Sequence, residues 1–342
     1  MHSNKIILKI ILLFILLFNF SGCFFYYDYN DYDNWNLKYI DENRKIEEEK
    51  RKLEERERKI LARNYINETF NPYFSLLNEE EKQVYYDIYE NANNFSNDFF
   101  ELTYKINSDR LDDVFYSVYY DNPELIWLKT YWFYKDEENM VYKVMLIYYS
   151  RNKEEEKEAD DIVSFVKEKN QNMISDFINK NKEINIVVDN IVRDANQYRS
   201  IIEKEKYVHD YLVNKITYDK NMHEDQTAYG ALINNRAVCS GYSRAFQLIM
   251  RKLNIPCFYI RGNAYNEEGE VAHAWNLILL DGDYYNVDVT WDDPIDYYTM
   301  KNRLRYDYFN VSDEFISKNH TREELSSYLP IASGIRFSNL YR

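Results

Sequence analysis

The chain has 342 residues, 45% of them hydrophobic, which suits two modest domains and a sizeable core. With 7 glycines and 5 prolines it is too poor in breakers for long disordered or fibrous stretches, and a net charge of −15 argues against nucleic acid as a partner. Three cysteines are too few for a disulfide framework, so the fold rests on its core.

Residues 1–22 read as a lipoprotein signal peptide. Lys5 and Lys9 give a positive start, and Ile10–Phe18 is an apolar run too short to span a bilayer. Ser21-Gly22-Cys23 then places small residues before a cysteine, as in a lipobox, with Phe20 departing from the usual aliphatic residue. Cys23 is therefore the expected lipidation site, anchoring an exported chain to the periplasmic or cell-surface face of a bacterial membrane. Residues 23–64 form a tether and a charged helix, Asp41–Arg63. Its apolar residues Ile46, Leu53 and Ile60 recur only once per heptad, which reads as a solvated spacer in preference to a dimerisation helix.

Residues 65–194 read as a supporting region. Glu79–Tyr89 and Arg110–Tyr120 carry helical patterns, the second stopped by Asp121-Asn122-Pro123. Ile126–Tyr134 and Met140–Tyr149 have the β-branched and aromatic content of strands, with a turn at Asp136–Asn139. Glu154–Asn179 is an amphipathic helix with Ile162, Phe165, Val166, Ile174 and Phe177 facing inward.

Residues 195–342 carry the chemistry. A helix over Arg199–Ile216 leads to Thr217-Tyr218-Asp219. Cys239 then stands at the start of a helix whose buried face is Tyr242, Ala245, Phe246, Ile249 and Leu253, ended by Asn254-Ile255-Pro256. A helix N-terminus favours the thiolate, the reactive form of cysteine, and Gly241 leaves approach to it open. Two strands follow, Val271–Leu280 and Tyr284–Trp291, joined by the two-residue hairpin signal Asp281-Gly282. That turn pairs Leu280 with Asp283, Trp275 with Asp288 and His273 with Thr290. His273 and Asp288 become diagonal neighbours on one face, roughly 7–8 Å apart at the backbone. Asn276 and Asp293 fall on the other, as does Trp291, read as core; a different turn would reverse the parity and bring Asn276 into play.

The roles follow from this placement. Cys239 is the nucleophile, and its backbone N–H faces the oxyanion. His273 takes and returns the proton, and Asp288 fixes its tautomer. Asp292 is the next carboxylate of matching parity. Trp275 is expected to wall the cleft, and Tyr218 to be either an oxyanion or substrate contact or a buried aromatic. Cys257 reads as core; a bond to Cys239 would disarm the site. The cysteines lack metal-ligand spacing, so neither metal nor cofactor is expected. His320 has no nameable partner, and Tyr297–Arg342 reads as a tail with little chemistry.

AVCSGYSRAF at the cysteine, HAWNLILLDGDYYNVDVTWDDP around the other two residues and HDYLVNKITYD at His209–Asp219 resemble the transglutaminase-like superfamily. YFNVSDEFISKNHTR at Tyr308–Arg322 resembles its usual tail, and YYDNPELIWL at Tyr119–Leu128 a segment found ahead of its core. The resemblance implies an α+β fold with a papain-like core, a cysteine helix packed on an antiparallel sheet. It implies a protein or peptide substrate, cell-wall peptide included, and acyl transfer to water or to an amine. A non-catalytic binding or scaffold module on the same fold is the rival reading.

Overall fold

The computed structural model describes residues 29–63, 66–96, 98–149, 162–222, 224–266, 269–293, 295–296, 301–302, 304–338 and 340–341. The leader and Cys23 lie outside these residues. Contacts divide the chain after Ala62. The first unit contains one described helix, α1 (Tyr29–Ala62). Its Ile46 and Leu53 are exposed, as one apolar residue per heptad requires. Among the described residues, no helix is long and apolar enough to cross a membrane.

The second unit, Arg63–Arg342, mixes helices with antiparallel sheets, the α+β class expected. Its supporting elements are α2 (Pro72–Ser75), α3 (Glu79–Asn93), β1 (Phe100–Asn107), α4 (Ser108–Asp121), β2 (Leu128–Lys135), β3 (Met140–Tyr148) and α5 (Ile162–Ala195). The sequence around the site forms α6 (Ile201–Lys215), β4 (Thr217–Tyr218), α7 (Ala228–Leu232), β5 (Arg236–Ala237), α8 (Cys239–Lys252), β6 (Cys257–Asn266), β7 (Gly269–Leu280) and β8 (Asp283–Val287). The remaining elements are β9 (Ile295–Asp296), β10 (Lys301–Asn302), α9 (Asp313–Ile316), β11 (His320–Arg322) and α10 (Glu324–Ser327).

Local chemistry sets the helix starts. Asn78 accepts from the N–H groups of Glu80 and Glu81 while the Glu81 carboxylate returns to Asn78, a complete capping box; Ser200 and Glu203 repeat it on α6. The α5 helix runs sixteen residues past the expected end at Asn179, from 179 to 195. Its buried stripe continues through Met173, Phe177, Ile184, Val188, Ile191 and Ala195 at spacings of three, four and seven.

β1, β3 and β2 make one sheet, in that order; β11, β6, β7 and β8 make the sheet that carries the site. One apolar core runs from Phe74 through Trp127 and Val188 to Phe246 and Phe337, across the supporting and site regions. The YYDNPELIWL passage contributes by packing. Leu125, Ile126, Trp127 and Leu128 are buried, and Trp127 Nε1 donates to the Ala92 carbonyl at 2.9 Å. The same passage anchors α8. Arg244, Gln247 and Arg251, at i, i+3 and i+7, reach the carbonyls at the C-terminal end of α4. Those are carbonyls that a helix cannot satisfy internally.

Candidate active site

The start of α8 is fixed by its neighbours. β5 pairs parallel with β4, setting Ala237 beside Tyr218, and the Val238 N–H bonds to the Asp225 carbonyl at 3.0 Å. Val238 is extended and offers no side-chain cap, so the helix opens at Cys239 with its first N–H groups unmatched within it. Ser240 Oγ donates to the Gln226 carbonyl at 3.1 Å and receives Tyr259 Oη at 3.2 Å. Gly241 is required for close packing, not for access to the thiol: a Cβ there would lie 2.5 Å from the Asp225 carbonyl oxygen and 2.6 Å from Ala237 Cβ. The expected Tyr242, Ala245, Phe246 and Ile249 are buried, but so is every residue from Ser240 to Met250, while Leu253 is only half-buried; Asn254, at φ +59°, ends the helix in the left-handed region.

The hairpin has the expected register: Leu280 opposes Asp283 and Asn276 opposes Val287. Asp281 and Gly282 both have positive φ, as the tight two-residue turn demands. The expected strand over Tyr284–Trp291, however, ends at Val287. Asp288 turns the chain: its Oδ1 accepts from the N–H groups of Thr290 and Trp291 at 3.0 and 3.1 Å, and its own N–H goes to the Tyr308 carbonyl at 3.1 Å. Its other oxygen, Oδ2, meets His273 Nε2 at 2.7 Å. That leaves His273 Nδ1 for the thiol, and Cys239 is close enough to bear on the charge of His273.

Cys239 is half-buried, His273 is buried and Asp288 is wholly so. The thiol opens into a cleft of about 420 Å³ lined also by Tyr218, Gln226, Tyr259, Arg261 and His273. Burial opposes a charge on His273, but the Asp288 carboxylate and the contact with Cys239 together outweigh it and raise its pKa to about 10. Burial likewise works against the Asp288 carboxylate; His273 and then His320 overcome it and hold Asp288 well below the usual carboxylate range. Cys257 is a free, buried thiol pushed well above its ordinary pKa by burial, then by Glu205, so it matches its reading as core. Cys239 is also free, and no disulfide joins them.

Some neighbours do not take the roles or places expected of them. Trp275 does not wall the cleft. It is 1% exposed, donates from Nε1 to Asn286 Oδ1 at 3.1 Å and backs the His273 ring at 6.2 Å. Trp291 is not on the opposite face: the turn after Asp288 breaks the alternation and sets its ring 5.7 Å from His273 and 4.5 Å from His320. Tyr218 does line the cleft. Asp292 is taken by His209 Nε2 at 3.2 Å and by the Tyr308 N–H at 2.9 Å. Asn276 faces α8, donating to the Ser243 carbonyl at 3.0 Å. His320 has a partner after all: its Nε2 lies 3.1 Å from Asp288 Oδ2, so the tail reaches the candidate site. Three residues of strand at the end of a polar stretch gave no periodic signal for it.

His273, Asp288 and His320 offer ligand atoms within 4.8 Å of one another, close enough to hold an ion. The separations of 2.7 and 3.1 Å to one shared oxygen are those of two hydrogen bonds, and the geometry reads as a proton network.

A half-buried helix-start cysteine facing a strand histidine and a buried carboxylate, on an antiparallel sheet, is the plan of a papain-like thiol fold. Residues 187–289 match the family model described as the transglutaminase-like superfamily, and this part of the chain is a transglutaminase-like domain. The chain is similar to the Kyphoscoliosis peptidase of Mus musculus, 26% identical over 121 residues that cover 32% of this chain and 18% of that protein. It is 27% identical to the Kyphoscoliosis peptidase of Homo sapiens over 137 residues, covering 36% of this chain and 21% of that protein. The match thus spans about a fifth of the curated relatives. A solved TGase aligns over 60% of this chain and 53% of its own, at 16% identity and a TM-score of 0.30.

Proposed function

We propose that this protein is an enzyme of acyl transfer, acting on peptide or glutamine amides through a thioester at Cys239. The reading rests on one observation: beside a half-buried cysteine at a helix start, His273 Nε2 lies 2.7 Å from a wholly buried carboxylate. In the reaction, the thiolate attacks the amide carbonyl and the helix-start N–H of Cys239 faces the oxyanion. The His273 imidazolium gives its proton to the leaving amine. Water or a second amine then attacks the thioester, returning a proton through His273 and freeing the thiol. Water gives peptidase or amidase products; an amine gives cross-links. The peptidase name of the curated relatives supports the peptide substrate class.

Incubation of the full chain with a peptide mixture, followed by mass spectrometry, is expected to trap an acyl group on Cys239. Independently of substrate, iodoacetamide at pH 6 is expected to label Cys239 quickly and Cys257 hardly at all. His273→Ala should slow the Cys239 reaction by about tenfold or more. Equal labelling of the two thiols with no effect of His273→Ala would leave the scaffold reading standing.

We also propose that the mature chain starts at a lipidated Cys23 and is held on a bacterial membrane. Lys5, Lys9, the short run Ile10–Phe18 and Ser21-Gly22-Cys23 support this. Cells fed a labelled fatty acid should put label on the wild type and none on Cys23→Ala. Undiminished label on the variant would sink the idea.

A further inference from the structure

We infer that His320 is a positioning residue of the site, holding the Asp288 carboxylate so that it keeps His273 aimed at the thiol. The inference rests on the acyl-transfer reading and adds to it a fourth side chain from the opposite edge of the sheet.

The placement begins with backbone register. Gly262 of β6 opposes both His273 of β7 and Arg322 of β11. His320 lies two residues before Arg322, so it shares a sheet face with His273, one strand beyond β6. The approach is possible because position 262 is glycine. A Cβ there would lie 2.0 Å from the Thr321 carbonyl oxygen and 2.8 Å from the Trp275 ring.

The hydrogen bonds then give His320 a defined task. An ionised carboxylate has roughly four acceptor sites. In Asp288 four donors address them: the N–H groups of Thr290 and Trp291 on Oδ1, and the Nε2 atoms of His273 and His320 on Oδ2. Two backbone groups fix one end of the carboxylate. Among the side-chain contacts described for the other end, His320 is the one that does not itself face the thiol. Without it, Oδ2 is tied only to the ring it is meant to orient.

His320 is in turn held from behind. Its Nδ1 is 2.7 Å from Asn319 Oδ1, and Asn319 Nδ2 donates to Tyr308 Oη at 2.6 Å. That second bond sets which end of the amide faces the ring. Trp291, Trp275 and Tyr308 surround the imidazole at 4.5, 5.1 and 5.5 Å between ring centres. The side chain is fully buried and is not among the residues that line the cleft, so it acts through Asp288 and not on substrate.

The test uses the full chain and reads the iodoacetamide rate of Cys239 at pH 6, with circular dichroism and melting as a fold control. His320→Ala is expected to slow labelling roughly tenfold, a fraction of the effect of a positioned acid or base. His320→Gln, whose amide can still donate to Asp288, should restore most of the rate. The deciding comparison is a double-mutant cycle. If His320 works only through Asp288 and His273, adding His320→Ala to His273→Ala changes the rate no further. Multiplying effects, or a folded His320→Ala variant at the wild-type rate, would overturn the inference. So would a chelator that slows the wild type and zinc that restores it, since the three residues would then be ligands. Should wild-type Cys239 react no faster than Cys257, it is the acyl-transfer reading that fails.

Discussion

Asp288→Asn is expected to lower Cys239-dependent acyl transfer by about four orders of magnitude while the protein stays folded, the scale of removing the carboxylate from a catalytic triad. The direction follows from the four hydrogen bonds at that side chain. The N–H groups of Thr290 and Trp291 need an acceptor at Oδ1, so the amide of the variant must keep its carbonyl there. Its NH2 then faces His273 Nε2, which can only accept. The His273 proton moves to Nδ1 and points at the thiol, leaving no base to receive a proton from it. The electrostatics change in the same sense. With Asp288 ionised, His273 keeps its proton until the pH approaches about 10, against the pull of burial. Without the carboxylate, burial is the larger influence and the imidazole is neutral at lower pH. The linked stability has two signs. The raised His273 pKa contributes stability that is complete below about 6.5 and lost as the pH rises through about 10. The depressed Asp288 pKa contributes stability present above about 3.8 and lost as the pH falls. Both dependences should flatten in the variant. Single-turnover rates between about pH 4 and 10, with urea titrations carried from about pH 2 to 10 so that they reach the range in which Asp288 gains its proton, measure the two effects. A variant that is as active as the wild type would remove Asp288 from the mechanism. Asp292 could not then replace it without leaving His209.

The hairpin was legible because its turn is local chemistry. Asp281-Gly282 supports two positive φ values, and the pairing of Leu280 with Asp283 follows from the count alone. Parity carries that register as far as Val287 and no further. The reason is tertiary: Asn286 bridges to Val311, and Asp288 gives its N–H to the Tyr308 carbonyl. A segment some twenty residues downstream ends the strand, and no pattern within Tyr284–Trp291 announces it. Trp291 consequently joins the aromatic wall about His273, and His320 reaches Asp288 from a three-residue strand. The Cys239 helix was legible at both ends, from its apolar spacing and from Asn254. In the supporting region one strand is plain once sought: Phe100, Leu102, Tyr104 and Ile106 alternate strictly with Glu101, Thr103, Lys105 and Asn107 along β1. The extension of α5 was masked by the polar run Asn179–Glu183, after which the stripe resumes at Ile184. No spacing rule links Arg244 to Tyr119, since side chains that cap a distant helix leave no period in sequence.

That capping gives Arg244→Met a large expected cost to stability. Arg244 is 1% exposed, and its guanidinium donates to the Tyr119 carbonyl at 2.7 Å and the Asn122 carbonyl at 3.2 Å while lying 4.0 Å over the Tyr119 ring. These acceptors sit at the C-terminal end of α4, where the helix dipole favours a cation. Methionine has similar length and is apolar, so little volume is lost. What is lost is the Arg244 donor to the Tyr119 carbonyl, one of two donors to the Asn122 carbonyl, which keeps the Leu125 N–H at 3.1 Å, the dipole contact and the stacking on Tyr119. A charge-assisted hydrogen bond is worth about 1.5–3 kcal/mol, and a buried acceptor left without a partner costs about 1–3 kcal/mol. Against this, the variant no longer desolvates a charge, which returns part of the difference. The net expectation is a loss of about 3 kcal/mol, seen as a fall in melting temperature of roughly 6–10 °C for a unit of this size. Arg193→Met is the matched control. Its guanidinium is mostly exposed and pairs with Asp194 at 3.2 Å, so it should change stability by less than about 0.5 kcal/mol. Urea and thermal unfolding of the three proteins, followed by circular dichroism, decide the matter. If Arg244→Met melts with the control, Arg244 adds nothing to the hold on α8. The link from α8 to α4 would then rest on Gln247, Arg251 and the apolar contacts.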